Sequence, residues 1–241
     1  MFARMAINAK KAATSFRTKL LLHFEGSNGG TTITDATGLS VTNTSVTTST
    51  VQTKVGSSTG FFNGASRLNI TNDGRFDIVG DFTIECWVRR AAAGLYGFCG
   101  TFQWQAGYNG GWNIGVQETY GLYGMHGGPA STGVNMPTNG STLIPVNTWV
   151  HITCQRSGST IQYFYNGVPD GTFSSFSGPG CIPFAAGNKD LRVGCWYADG
   201  NNVAYMSGYI DELRIVQGVA LYNYATGFTP TTTPYTVADA G

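Results

Sequence analysis

The four glutamates, Glu25, Glu85, Glu118 and Glu212, are the first candidates for bond-breaking chemistry. Glycoside cleavage needs two carboxyls facing each other across about 5 to 9.5 Å, one as acid and the other as base or nucleophile. Here the glutamates are scattered, and Asp211 and Glu212, being adjacent, are expected on opposite faces of a strand. No catalytic residue is assigned, and the chain reads as a non-enzyme. Gly56-Ser57-Ser58-Thr59-Gly60 has the spacing of a nucleophile elbow. That device needs a strand turning into a helix, whereas Phe61 and Phe62 continue as strand, so a glycine-serine turn is expected. His23, His126 and His151 share no metal-ligand spacing. Cys86, Cys99, Cys154, Cys181 and Cys195 contain no C-x-x-C pair and are odd in number, which argues against a zinc cluster or a complete disulfide set.

Binding chemistry is better represented. Trp104, Tyr108, Trp112, Tyr120 and Tyr123 crowd one glycine-rich stretch, and Trp196-Tyr197 precede Asp199-Gly200-Asn201-Asn202. Flat rings stack on the apolar faces of pyranoses while Asn and Asp oxygens take hydroxyls, and loops on a rigid scaffold carry such groups readily. A carbohydrate site of Trp104, Tyr108, Trp112, Trp196, Tyr197, Asp199 and Asn201 is therefore expected. The same aromatic types also serve as core residues or as anchors of protein interfaces, and both readings stand.

These groups need a scaffold, and the pattern is that of strands. Gly208-Tyr209-Ile210-Asp211-Glu212-Leu213-Arg214-Ile215-Val216 is one closing strand. A strict two-residue period sets Tyr209, Asp211, Leu213 and Ile215 on one face, and Ile210 and Val216 on the other. A carboxylate there must find a cation, a metal or several donors. Gly158-Ser159 and Asn166-Gly167 are two-residue hairpin signals. No helical period of apolar residues appears in the body, so an all-β, two-sheet antiparallel jelly-roll sandwich is predicted.

Charged residues are only 11% of the 241 and the net charge is +1, which excludes a basic nucleic-acid binder. No run of about 18 apolar residues is present, so membrane insertion by a helix is not expected. Met1 to Lys19 carries Arg4, Lys10, Lys11, Arg17 and Lys19 without an acid. It reads as a basic docking arm, or as a short helix lying on its own domain, and its composition is also that of a transit peptide. The divisions are an arm at 1–19, one domain at 20–235 and a tail at 236–241.

Six pieces in order resemble the laminin-G-like domains of the concanavalin A-like lectin and glucanase superfamily, with the phage virion branch most similar. They are Leu20-Leu21-Leu22-His23-Phe24-Glu25-Gly26, Phe61-Phe62-Asn63-Gly64, Phe82-Thr83-Ile84-Glu85-Cys86-Trp87-Val88, the hairpin of Asn147 to Ile152 with Tyr163 to Val168, Leu191-Arg192-Val193-Gly194, and the closing strand. The resemblance implies a concanavalin A-like sandwich and a structural calcium held by Glu25 and Asp211, although Asp211 could instead be satisfied by hydrogen bonds alone. Asn63 stands where relatives often have Asp. It further implies a virion protein on the external surface of a particle assembled in a host cytoplasm. Its expected partners are capsid or tail proteins, further copies of itself and a host surface polysaccharide. A receptor-binding tail or fibre module is the alternative. A secreted lectin or glycoside hydrolase is disfavoured by the missing acid pair and the lack of a signal-peptide core.

Overall fold

The structure, a computed structural model, describes residues 17–78, 80–101, 103–105, 108–117, 121–126, 140–173, 190–198 and 201–238. Among the described residues there are eighteen strands and no helix. In chain order they are β1 (Arg17–Leu22), β2 (Val41–Thr44), β3 (Thr47–Ser49), β4 (Thr59–Asn63), β5 (Arg67–Ile70), β6 (Phe82–Arg90), β7 (Tyr96–Gly100), β8 (Gln103–Gln105) and β9 (Tyr108–Gly110). The series continues with β10 (Trp112–Gln117), β11 (Gly121–His126), β12 (Val150–Ser157), β13 (Thr160–Tyr165), β14 (Val168–Phe173), β15 (Leu191–Val193), β16 (Trp196–Ala198), β17 (Asn201–Val203) and β18 (Ser207–Gln217).

Two large antiparallel sheets form the sandwich. One has eight strands in the order β14-β13-β12-β6-β18-β4-β3, with β1 also on β18, and the other has six in the order β11-β10-β7-β15-β5-β2. Both predicted hairpins form. Gly158 (φ 60°) turns β12 into β13, and Asn166 and Gly167 (φ 50° and 76°) turn β13 into β14, the backbone hand that two-residue hairpins require. Between the sheets Ile84, Cys86, Val88, Ile152, Cys154, Ile210, Leu213 and Ile215 meet Leu68, Ile70, Phe98, Ile114, Leu191 and Val193 in one apolar core. Cys86, Cys99, Cys154 and Cys195 are unpaired buried thiols, and Cys181 lies outside the described residues.

The closing strand departs from the strict alternation expected of it. The ladder to β6 slips between Asp211 and Arg214, and Glu212 sits at φ 50°. This bulge adds one residue to the strand and reverses its parity. Ile210 therefore shares the core with Leu213 and Ile215, while Asp211 and Arg214 leave it. The expectation that Asp211 shares the Leu213 face is corrected accordingly.

The other surface of the eight-stranded sheet is covered by the chain's own residues 219–238. Thr83 Oγ1 accepts from Leu221 N at 3.0 Å and donates to Val219 O at 3.1 Å. Gln155 grips the backbone of Tyr222 at both its N–H and its carbonyl. Tyr222 stacks on Phe228 at 3.5 Å, with Phe164 edge-on to both. Further on, Trp87 Nε1 donates to Thr231 O and Tyr235 N to Glu212 Oε2. Beneath this strap Glu85, 1% exposed, accepts from Arg214 Nε at 2.9 Å and Nη2 at 2.5 Å, and from the hydroxyls of Tyr222 at 2.7 Å and Tyr235 at 3.2 Å. His151 Nε2 meets the Tyr235 hydroxyl at 3.0 Å, and burial holds its pKa down at about 4. No helix among the described residues is long and apolar enough to cross a membrane.

Candidate carbohydrate-binding face

Beyond Val193 the chain leaves the six-stranded sheet at Gly194 (φ 86°), where a Cβ would collide with the Phe62 ring. Gly194 N donates to Phe98 O, and Gly194 O accepts from Met206 N. The chain then rises into a small third sheet of four strands, β17-β16-β8-β9, with β16 and β8 parallel. Trp196 is laid over the outer face of the six-stranded sheet. A Cβ on Gly97 of β7 would come within 2.6 Å of its Nε1, and one on Gly115 of β10 within 2.7 Å of its Cζ2. These two glycines make room for the indole, because any side chain there would displace it.

This third sheet gathers most of the predicted aromatic residues onto neighbouring strands. Tyr197 lies opposite Gln103, Ala198 opposite Trp104, and Gln105 opposite Tyr108. Asn201 is exposed at the start of β17, paired with Ala198. The backbone places Trp104 and Tyr108 in β8 and β9, and Asp199 lies outside the described residues. Trp112 is corrected: it is 1% exposed in the core, and its Nε1 donates to Phe76 O at 2.8 Å. Position 112 opens a strand whose alternate residues Ile114 and Val116 also face inward, so its ring goes with them.

The arginines of this face were not among the residues expected from sequence. Arg192 of β15 is 5% exposed, donates from Nε to Asn202 Oδ1 at 3.0 Å and carries its guanidinium 4.2 Å over the Tyr197 ring. Among the described residues its Nη1 meets the Asp190 carbonyl, at 3.5 Å. Burial lowers the pKa of Arg192 against the opposing pull of Cys195, Asp190 and Tyr197, and the charge of Arg67 adds to the lowering. Arg67 lies diagonally across the β5 ladder, since Arg192 pairs with Asn69, and Arg67 Nε donates to Asn69 Oδ1 at 3.1 Å. Thr42 and Thr44 of β2 pair with Asn69 and Arg67. Among the described residues neither arginine has a carboxylate within ion-pairing distance. A composite of half-buried ring, amides, hydroxyls and guanidiniums is chemistry that holds hydroxylated ligands.

The two predicted calcium ligands are joined by one loop. Val55 N donates to Asp211 Oδ2 at 2.9 Å, and Ser57 N donates to both Glu25 oxygens at 3.1 and 3.2 Å. Between them Gly56 (φ 65°) packs so tightly that a Cβ would strike Glu25 Oε1. Asp211 Oδ1 is buried with no hydrogen-bond partner, and burial first, then Glu212 and Glu25, push its carboxyl up to about 8 against the bond from Val55. An orphaned carboxylate oxygen of that kind suits a proton or a cation. Among the described residues no three His, Cys, Asp or Glu side chains converge in metal-ligand fashion, so backbone carbonyls would have to complete a shell.

Of the basic residues assigned to the arm, Arg4, Lys10 and Lys11 lie outside the described residues. Arg17 and Lys19 belong to β1, where Arg17 pairs with Gln217 and Lys19 sits at a register slip.

Two large antiparallel sheets packed face to face define an all-β jelly-roll sandwich of the concanavalin A-like kind. Consistent with this, the family model Laminin_G_3, of the concanavalin A-like lectin/glucanases superfamily, matches residues 62–221, and the chain belongs to that family. No curated protein matches it. Among solved structures, the binding domain of Paraclostridial Mosquitocidal Protein 1 superposes with a TM-score of 0.57 at 16% identity, over 87% of this chain and 50% of that one. Domain 4 of AbnA, a GH43 extracellular arabinanase from Geobacillus stearothermophilus, solved with arabinotriose, gives 0.53 at 19% over 93% and 98%. Botulinum neurotoxin type C, described as dependent on two ganglioside molecules for cell entry, gives 0.54 at 12% over 85% and 49%. The chain thus spans about half the length of the first and third of these, and identities this low show the shared fold alone.

Proposed function

We propose that this chain is a non-enzymatic carbohydrate-binding module on the external surface of a phage particle, as a capsid decoration or a head- or tail-associated protein. The observation that carries the binding part is the face around Trp196, Tyr197, Arg192 and Asn202, assembled over Gly97 and Gly115. The same sandwich supports sugar contact in the arabinanase domain solved with arabinotriose. Against catalysis, Glu85 is committed to Arg214 and two tyrosines, Glu212 to His23 at 2.6 Å and to Tyr235 N, and Glu25 to Ser57. The virion part rests on the ordered motifs and the basic residues of the first nineteen positions. Copies arrayed on one particle would convert a weak site into firm adhesion to a host polysaccharide by avidity.

Glu25 and Asp211, with nearby carbonyls, would hold a structural calcium. When bound, it would neutralise a buried carboxylate and pin residues 55–57. The chain's own residues already bring those two carboxylates to one loop.

A receptor-binding tail or fibre module is the second reading, favoured by the same face. Screening the full chain on a glycan array tests adhesion, and no binding to any glycan overturns it. Mass spectrometry of purified particles from an infected host tests the virion assignment, and absence from the particle overturns that.

A further inference from the structure

We infer that the outer face of the six-stranded sheet selects acidic saccharides, with Arg192 and Arg67 receiving a carboxylate or sulfate on the sugar. This deepens the carbohydrate reading and rests on it.

Four arginines on the sheets are almost wholly buried, Arg214 at 3%, Arg90 at 4%, Arg192 at 5% and Arg156 at 7% exposure. Arg214 is charge-compensated by Glu85, through two hydrogen bonds to one oxygen. Arg192 makes no such ion pair among the described residues: its partners are a side-chain amide oxygen, a backbone carbonyl and the Tyr197 ring, and the Asp190 carboxylate acts on it only at longer range. A guanidinium withdrawn from water is costly unless paired. On the same face a second guanidinium, Arg67, stands two residues from the ladder partner of Arg192 and adds like charge. Diagonal neighbours across a ladder stand roughly 7–8 Å apart, a span that one planar anion can bridge.

Each arginine spends its Nε on an asparagine oxygen, Asn202 for Arg192 and Asn69 for Arg67. This fixes the plane of each fork and leaves terminal nitrogens that the asparagines do not occupy. Tyr197 supports the Arg192 plane from one side by its ring face. A fixed guanidinium fork matches the two oxygens of a carboxylate or sulfate. The half-buried Arg67, Asn69 and Tyr197, with exposed Thr42, supply hydroxyl-directed groups around it. Net charge of +1 gives the whole molecule little pull on polyanions, so selection must be local.

The full chain should be titrated by biolayer interferometry against polygalacturonate and its methyl ester, and against dextran sulfate and dextran. The acidic member of at least one pair is expected to bind about tenfold or more tightly than its neutral partner, with affinity falling as salt rises. Arg67→Gln, at a half-buried position, should cut that affinity about tenfold while the melting temperature stays unchanged. Arg192→Gln should cut it further, and Arg67→Gln decides the matter if that variant does not fold. The five basic residues before Leu20 are untouched by Arg67→Gln, so their pull on polyanions is common to both proteins. Equal binding of neutral and acidic members, or full affinity in Arg67→Gln, overturns the inference and leaves the carbohydrate reading standing. No binding to any of the four overturns both.

Discussion

Replacing Glu85 by Gln keeps the side chain's shape and removes its charge. In the native protein its two oxygens collect Arg214 Nε and Nη2 on one side and the hydroxyls of Tyr222 and Tyr235 on the other. Burial opposes the Arg214 charge, and Glu85 more than restores it, so that the Arg214 pKa ends above its ordinary value. Its Nη1 already lacks a partner. Without the carboxylate, an uncompensated guanidinium would remain under the strap, at a cost of about 3–5 kcal/mol. That is on the order of a third or more of the stability of a typical domain. For a chain of this length it corresponds to a melting-temperature drop of roughly 10 °C. Urea unfolding followed by tryptophan fluorescence should show the loss. The double variant Glu85→Leu with Arg214→Met should be less damaged than Glu85→Gln alone, since both charges leave together. A Glu85→Gln protein within about 1 kcal/mol of wild type would refute the claim that this pair holds the strap.

Acid should loosen the same layer. His151 is held neutral by burial with a folded pKa of about 4, opposed by Glu85 and aided by Arg214 and Lys54. A depressed histidine pKa means that the unfolded chain binds the extra proton, so stability present above about 6.5 is lost as pH falls toward 4. The loss is about 3 kcal/mol by urea titration, and His151→Asn should flatten it. For the proposed calcium, millimolar calcium should raise the wild-type melting temperature by a few degrees relative to chelator, but not that of Asp211→Asn. The effect should be larger at pH 8 than at pH 5, because the raised carboxyl must give up its proton to bind a cation. Gly97→Ala should cost about 1–3 kcal/mol and abolish glycan binding, as its Cβ meets the Trp196 indole. An unchanged array profile in that variant would remove Trp196 from the site.

The parts of this molecule that were legible in sequence are those set by local chemistry. Gly158-Ser159 and Asn166-Gly167 dictate their turns by backbone hand alone, and both hairpins form. The alternation of Ile84, Cys86 and Val88 likewise marks a core strand. Alternation failed at Glu212, because a bulge depends on what the neighbouring strand demands and leaves no mark in residue type. Trp112 was misassigned because crowding with other aromatics in sequence says nothing of which side of a strand a ring takes. Arg67 and Arg192 could not be paired from sequence, for only the β5–β15 ladder brings them together. A signal did exist at Gly97 and Gly115, glycines inside strand patterns, which mark a close approach of something large. Phe228 to Tyr235 is rich in threonine and proline and has no strand period, yet its aromatic residues are part of the lid of the eight-stranded sheet.

The position of β18 has a bearing on biosynthesis. The last of the described strands to be made is inserted between β6 and the pair β4 and β1, so Leu20 to Leu22 wait for Leu213 to Ile215 before they have a partner strand. A nascent chain still on the ribosome therefore exposes unzipped apolar strands until nearly all of it has emerged, and contacts so distant in sequence form slowly. Premature termination before Ser207 removes β18, and with it the link between β6 on one side and β4 and β1 on the other.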